Sequence, residues 1–423
     1  MKKLVEFFKS ILIVVLMLAV IALFVFSLPT KTLTAAPRLA AALRPFAGVL
    51  GISEAELMDT APAAAAQITA AAQPIAISVN TSAGRQSFLG DFSALDAAYE
   101  QLGSLLGQAL DSAGDGVATD EAALMAALSG QSVLLRYAGS VPAAALGAWL
   151  HTAAPQGQAS DFILALDGSQ VVLYLVGETA LRYPTAADAA EFSDALTRYA
   201  PDGSRLAFEE EGAEYAALQP FSLLPAEPPR MPAAAVSNPC DTRFVSALAS
   251  SLGFNPYGDA RYVDDGGNTA FTEPGRSLTI SAAGEVQLRM TEDSRFACVD
   301  DTCAGQIETA RALLSTMTES VFGAARLYLT GYEPTESGAV CRFDYCLEGL
   351  PAPSGATSAA EVTLADGAVT FLRMTVRRFT PAGEPVPLLP AAQAAAIAQP
   401  GAALHLVYTD GGDGTVTPSW AAQ

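Results

Sequence analysis

Residues 160–176 read SDFILALDGSQVVLYLV. Two apolar runs meet at Asp167-Gly168, a dipeptide that favours the tight turn of an antiparallel hairpin. The frame recurs twice, as Gly284-x-Val286-x-Leu288 in 276–290 and as Asp366-Gly367-x-Val369-x-Phe371 in 359–379. Matched turns and matched alternation have two readings: repeated α+β units, or common turn chemistry without common descent. Helical spacing separates these hairpins. Residues 93–114 carry Leu95, Tyr99, Leu102, Leu105 or Leu106, and Leu110 on one face, with Asp91 or Ser93 as the cap and Gly114 beyond the end. Residues 305–323 carry Ile307, Ala310, Leu314, Met317 and Val321 on a second such stripe. Runs of strands with interspersed helices define an α+β class, with helices packed on curled antiparallel sheets.

The stretch 255–271, NPYGDARYVDDGGNTAF, tests whether acids mean chemistry. Asp259, Asp264 and Asp265 lie close to Arg261, Tyr257 and Tyr262. Yet ARYV and NTAF alternate about a Gly-containing turn, where Asp side chains bond nearby amides. The stretch reads as a hairpin. It lacks the ligand offsets of a calcium loop, and TDGGDG at 409–414 reads as a turn in the same way.

The chain has 423 residues and a formal net charge of −21, long enough for more than one core. Its lysines are Lys2, Lys3, Lys9 and Lys31, and beyond them arginines are outnumbered more than two to one by Asp and Glu. Such a surface repels nucleic acid and anionic headgroups. The absence of lysine after Lys31 also excludes S-x-x-K, P-loop and Schiff-base lysine chemistry there. His151 and His405, the two histidines, follow apolar or alternating residues and read as packing or strand-surface groups. No G-x-S-x-G, H-E-x-x-H, C-x-x-C or G-x-G-x-x-G occurs. The residues therefore nominate no catalytic, cofactor or metal site.

Residues 11–28 are apolar apart from Ser27 and follow three lysines. As a helix they rise about 27 Å, close to the hydrocarbon thickness of a bilayer. The flanking charge places the N-terminus in the cytoplasm and the rest outside. The run exceeds the core of a cleaved signal peptide, and the small residues at 34–36 run into Pro37, so an uncleaved anchor is favoured over cleavage. The expected organisation is a tail at 1–10, an anchor at 11–28, an Ala-rich stalk at 29–73, a first exported domain at 74–224, a Pro-rich linker at 225–239 and a second exported domain at 240–423. Ala19 and Ala22 form a small-residue patch for pairing with another helix in the bilayer.

Five cysteines lie in the second half. Cys341 and Cys346 are five apart in a strand, so they face opposite ways. Cys298 and Cys303, in the turn-rich CVDDTC, are the expected disulfide. Two C-x4-C pairs could also make an all-cysteine zinc site, a weaker reading because such pairs sit on tight knuckles.

In segment order the chain resembles the YycH/YycI family, single-pass membrane regulators of an essential cell-wall sensor kinase in Gram-positive bacteria. The resemblance lies in the tail and anchor and in ALSGQSVLLRYAGSVPAAALGAWL (127–150). It continues through YAALQPFSLLP (215–225) and LGFNPYGDARYVDDGGNTAFTEPGRSLTIS (252–281), and then through FDYCLEGLPAP, AAEVTLADGAV, LLPAAQAAAI, LHLVYTD and VTPSW (343–420). It implies a non-enzymatic regulator at the plasma membrane whose partners are a two-component sensor histidine kinase and a paralogous regulator, with no cofactor. Two other classes stay open: an exported protein that holds a lipid or cell-wall fragment, and an extracytoplasmic hydrolase.

Overall fold

The computed structural model describes residues 73–422, apart from 292–295, 319–320 and 356–357. The expected anchor, with Ala19 and Ala22, lies outside the described residues. Among the described residues no helix is long and apolar enough to cross a membrane.

The first half contains β1 (Ala76–Thr81), β2 (Gly84–Phe88), α1 (Phe92–Asp111), β3 (Val117–Ala118), α2 (Glu121–Ser129), β4 (Ser132–Pro142), α3 (Ala143–Leu150), β5 (Gln158–Asp167), β6 (Gln170–Val176), β7 (Ala180–Pro184) and α4 (Ala189–Leu196). Its strands form an antiparallel sheet in the order β2-β1-β4-β5-β6-β7-β3. The 160–176 hairpin sits near its centre, with Leu166 opposite Val171 and Gly168 at φ +62° on the first turn position. Its strands are apolar on both faces because both are covered. Phe162, Leu164, Val171 and Leu173 pack with α1, whereas Ile163, Ala165, Val172 and Tyr174 pack with α2. Asp91 caps α1 by accepting the Ser93 and Ala94 amides. Two short elements follow: the ladder of β8 (Arg205–Leu206) with β9 (Leu223–Leu224), and between them α5 (Ala213–Ala216).

The second half comprises β10 (Met231–Ser237), α6 (Thr242–Ser251), β11 (Arg261–Val263), β12 (Thr269–Glu273), β13 (Arg276–Ile280), β14 (Glu285–Met290), α7 (Cys303–Thr318), β15 (Ala325–Pro334), β16 (Gly338–Leu347), β17 (Leu350–Ala352), β18 (Ala360–Ala365), β19 (Ala368–Thr375), β20 (Arg378–Val386), α8 (Ala391–Ile397), β21 (Leu404–Gly412) and β22 (Thr415–Ala422). A nine-stranded antiparallel sheet runs β11-β12-β13-β14-β19-β18-β16-β15, with β17 on β16. A second sheet runs β20-β10-β22-β21. Tight turns at Glu348-Gly349, Asp366-Gly367 and Asp413-Gly414 each put both central residues at positive φ, as a type I′ hairpin requires.

Residues 225–239, expected from their prolines to be a linker, include paired structure. Met231–Ser237 is a strand between β20 and β22. Its proline disguises it, because Pro232 sits at a bulge beside β20, and β22 pairs only with Ala234 and Ala235. Strands β20 and β22 carry prolines too, at Pro381, Pro385 and Pro418.

The halves meet at β4 and β15. Strand β4 leaves β5 between Arg136 and Val141. There a Cβ on Gly139 would lie 2.1 Å from the Thr330 carbonyl oxygen of β15. Nearby, Arg326 of β15 grips Asp96 of α1 through both terminal nitrogens at 3.0 and 2.9 Å. Its guanidinium also stacks 3.9 Å from the Phe92 ring. The Glu348 carboxylate accepts the Phe92 amide at 3.2 Å, an anion at the positive end of α1. Helix α3 packs on both α1 and α7, and one core cluster runs through both halves.

Gly139→Ala is therefore expected to lower the unfolding free energy by at least about 2 kcal/mol, the scale of overpacking. Gly168→Ala meets open space at a left-handed position and should cost about 1 kcal/mol. Urea denaturation of both variants distinguishes the two sites; an unchanged midpoint for Gly139→Ala would show that β4 and β15 can separate freely.

Candidate interaction surface

Strand β11 is the free edge of the nine-stranded sheet, and the 255–271 stretch is its hairpin with β12. The acids at the turn serve the turn. Asp264 accepts the Asn268 backbone amide and side-chain amide, both at 2.8 Å, and its carbonyl accepts the Gly267 amide at 3.0 Å. The Asn268 side-chain bond, then its backbone bond, hold the Asp264 carboxyl below the ordinary range. The preceding NPYG is a second turn, with the Tyr257 amide on Asn255 Oδ1 at 3.0 Å.

What the hairpin displays is aromatic. Tyr257 is 85% exposed, Tyr262 66% and Val263 49%. The register explains the last two. On the core face a row of side chains crosses the sheet from Leu329 through Phe343, Ala360, Met374, Val286, Ile280 and Thr269 to Val263. Every member but Val263 is buried. Tyr262 alternates to the opposite face, beside Ala270. Exposed tyrosines amid charge are typical of interface anchors. Sequence alternation predicted the hairpin but carried no signal that β11 ends the sheet.

The histidines occupy unremarkable places. His151 caps the C-terminus of α3 at φ +59° and is exposed. His405 lies on β21 with Nδ1 3.2 Å from the Ala403 carbonyl, and burial lowers its pKa. A cleft of about 460 Å³ opens between the end of α1 and β7, lined by Leu110, Asp111, Asp115, Gln156, Leu181 and Tyr183. Tyr183 donates to the Gln156 carbonyl at 3.0 Å and Asp111 accepts the Ala153 amide at 3.1 Å, so those two polar groups are engaged in holding its walls.

All five cysteines are free thiols. Cys298 and Cys303, expected as a disulfide, are separately anchored. The Cys298 amide donates to the Gly367 carbonyl at 2.7 Å, while Cys303 opens α7 behind a turn in which Asp300 accepts the Thr302 amide. Cys341 faces the main core and Cys346 the opposite cluster with Phe92 and Tyr328, so those two cannot share a metal. Among the described residues no group of three or more Cys, His, Asp or Glu is arranged to hold a metal ion.

Burial raises the thiol pKa of all five, to about 11 at Cys240 and about 12 at Cys341. Few thiolates then exist near neutrality. Cys341 and Cys346 are expected to resist maleimide at pH 7 until urea unfolds the chain, read by intact mass; rapid labelling of either in the folded protein would contradict this packing. Burial likewise holds Tyr99, Tyr332 and Tyr408 at about 12, above the ordinary 10. The folded chain keeps those protons when the unfolded chain loses them. Their stabilising contribution is complete below pH 10 and fades as pH rises toward 12. Tyrosinate absorbance and loss of circular dichroism should therefore develop together across that window.

No protein-family model, no curated protein and no solved structure matches this chain.

Proposed function

We propose that the protein is a membrane-anchored regulator that binds a sensor histidine kinase and modulates its signalling, acting without catalysis of its own. The reading is carried by the display of Tyr257 and Tyr262 on an acidic hairpin, within the 252–281 stretch that carries the YycH/YycI resemblance. The basic-flanked apolar segment 11–28 supports it, since one helix would hold the protein beside a membrane kinase and leave 74–423 outside. In this reading the chain pairs in the bilayer near Ala19 and Ala22, and outside it through the hairpin.

The test is crosslinking in native membranes with the full-length chain, compared with a version whose residues 11–28 are replaced by an unrelated span. A histidine kinase recovered with the native span and lost on replacement is the expected result. Recovery of no kinase with either span would overturn the reading. The double variant Tyr257→Ser/Tyr262→Ser should leave the urea midpoint within about 0.5 kcal/mol of the parent, as exposed sites do. It should weaken kinase recovery about tenfold, the effect of losing interface anchors.

A further inference from the structure

The edge at β11 is unfinished in three respects. Among the described residues no strand pairs with its outer side. The Asp264 amide bonds the Asn268 carbonyl at 3.0 Å and the Thr272 amide bonds the Ala260 carbonyl at 3.1 Å. These bonds set the phase of the ladder, so Ala260, Tyr262 and Asp264 face β12. Arg261 and Val263 point their groups outward. The Arg261 amide is taken by the Gly258 carbonyl at 3.2 Å. The Val263 amide and carbonyl and the Arg261 carbonyl meet no partner among the described residues. Next, the core row ends at Val263, half exposed where every other member is covered. Finally, Asp259 stands before the strand and Asp264 and Asp265 behind it, with the Asp264 carboxyl held ionised.

We infer that β11 is a docking edge for an extended segment of a partner protein, added as one more antiparallel or parallel strand. This rests on the regulator reading and specifies its contact. Outward backbone groups supply the hydrogen bonds of strand addition, and alternate side chains supply the selectivity. The segment places an apolar side chain over Val263 on the core face and a flat or apolar one against Tyr262 on the other. It carries Lys or Arg at both ends, opposite Asp259 at one and Asp264 and Asp265 at the other. A second copy of this chain is a poor occupant. An antiparallel pair of β11 edges would bring Asp259 of each copy toward Asp264 and Asp265 of the other, and like charges across a ladder repel. Three residues of strand and the flanking acids also keep the edge from indiscriminate pairing.

The test uses the full-length chain in its own membranes, with benzoylphenylalanine in place of Tyr262 as a photo-crosslinker. It is combined with Val263→Pro, which deletes the outward amide without touching the bonds to β12, and with Val263→Thr, which keeps it. The expected result is an adduct whose crosslinked residue maps to an extended segment flanked by Lys or Arg. Val263→Pro should reduce it at least tenfold and Val263→Thr less than twofold, with equal urea midpoints of all three. No adduct, an adduct insensitive to Val263→Pro, an adduct on an acidic or helical segment, or an adduct between two copies of this chain would each overturn the inference. The two proposals fail separately. An adduct meeting every criterion on a protein that is not a kinase keeps the docking edge and removes the kinase. Kinase recovery that depends on the span but ignores Val263→Pro does the reverse.

Discussion

The contact on which the architecture depends is the grip of Arg326 on the first turn of α1. One guanidinium bonds Asp96 twice and covers the Phe92 ring, while Glu348 accepts the Phe92 amide. Phe92 in turn stacks on Tyr328. A helix that packs on the first sheet is thus held at its start by side chains of the second. Charge-assisted, bidentate geometry makes such a contact directional and adds to the apolar core that the two halves share. Gly139 enforces the same arrangement by sterics, since only a residue without Cβ lets β4 approach the backbone at Thr330.

Much of the remaining polar interior follows one pattern: an arginine satisfied by a carboxylate and a backbone carbonyl. Arg85 bonds Glu209, Ser78 and the Leu128 carbonyl beneath α2. Arg136 bonds Asp161 twice and the Phe221 carbonyl. With no lysine after Lys31, arginine is the only cation that could fill these places apart from histidine, and its planar fork suits multiple fixed acceptors. Acids vastly outnumber such partners, so the excess lies outward, and the hairpin at β11 is where that excess meets exposed aromatic surface.

Local chemistry made some elements legible and hid others. The hairpin at 160–176 and the helices at 93–114 and 305–323 stood out because periodicity and turn residues agreed. Asp91 does cap α1, and Ile307, Ala310, Leu314 and Met317 are buried on α7, with Val321 buried beyond the helix end at Thr318. Strands β10, β20 and β22 were opaque because each carries proline, and only a bulge, an edge or partial pairing makes that tolerable. Helix α3, AAALGAWL, lacked a polar face to mark its period. Of the candidate surface, the hairpin was readable at 255–271. The exposure of Tyr262 was not, since strand order is a tertiary property that no local pattern records. Cys298 and Cys303, close in sequence, stand as free thiols, one with its amide on Gly367 and the other at the start of α7.

The clasp on α1 also sets a timetable for synthesis. The helix ends at Asp111, but the groups that hold its first turn lie at Arg326 and Glu348. At ordinary elongation rates of about 5–20 residues per second, roughly 10–50 s pass between the appearance of the helix and of its anchors. Until then the Phe92 face of α1 lacks the Arg326, Tyr328 and Glu348 groups that engage it in the finished fold. Apolar surface left open while a chain is still being made is a general hazard for aggregation, and here the length of that window is set by the distance in sequence between α1 and its clasp.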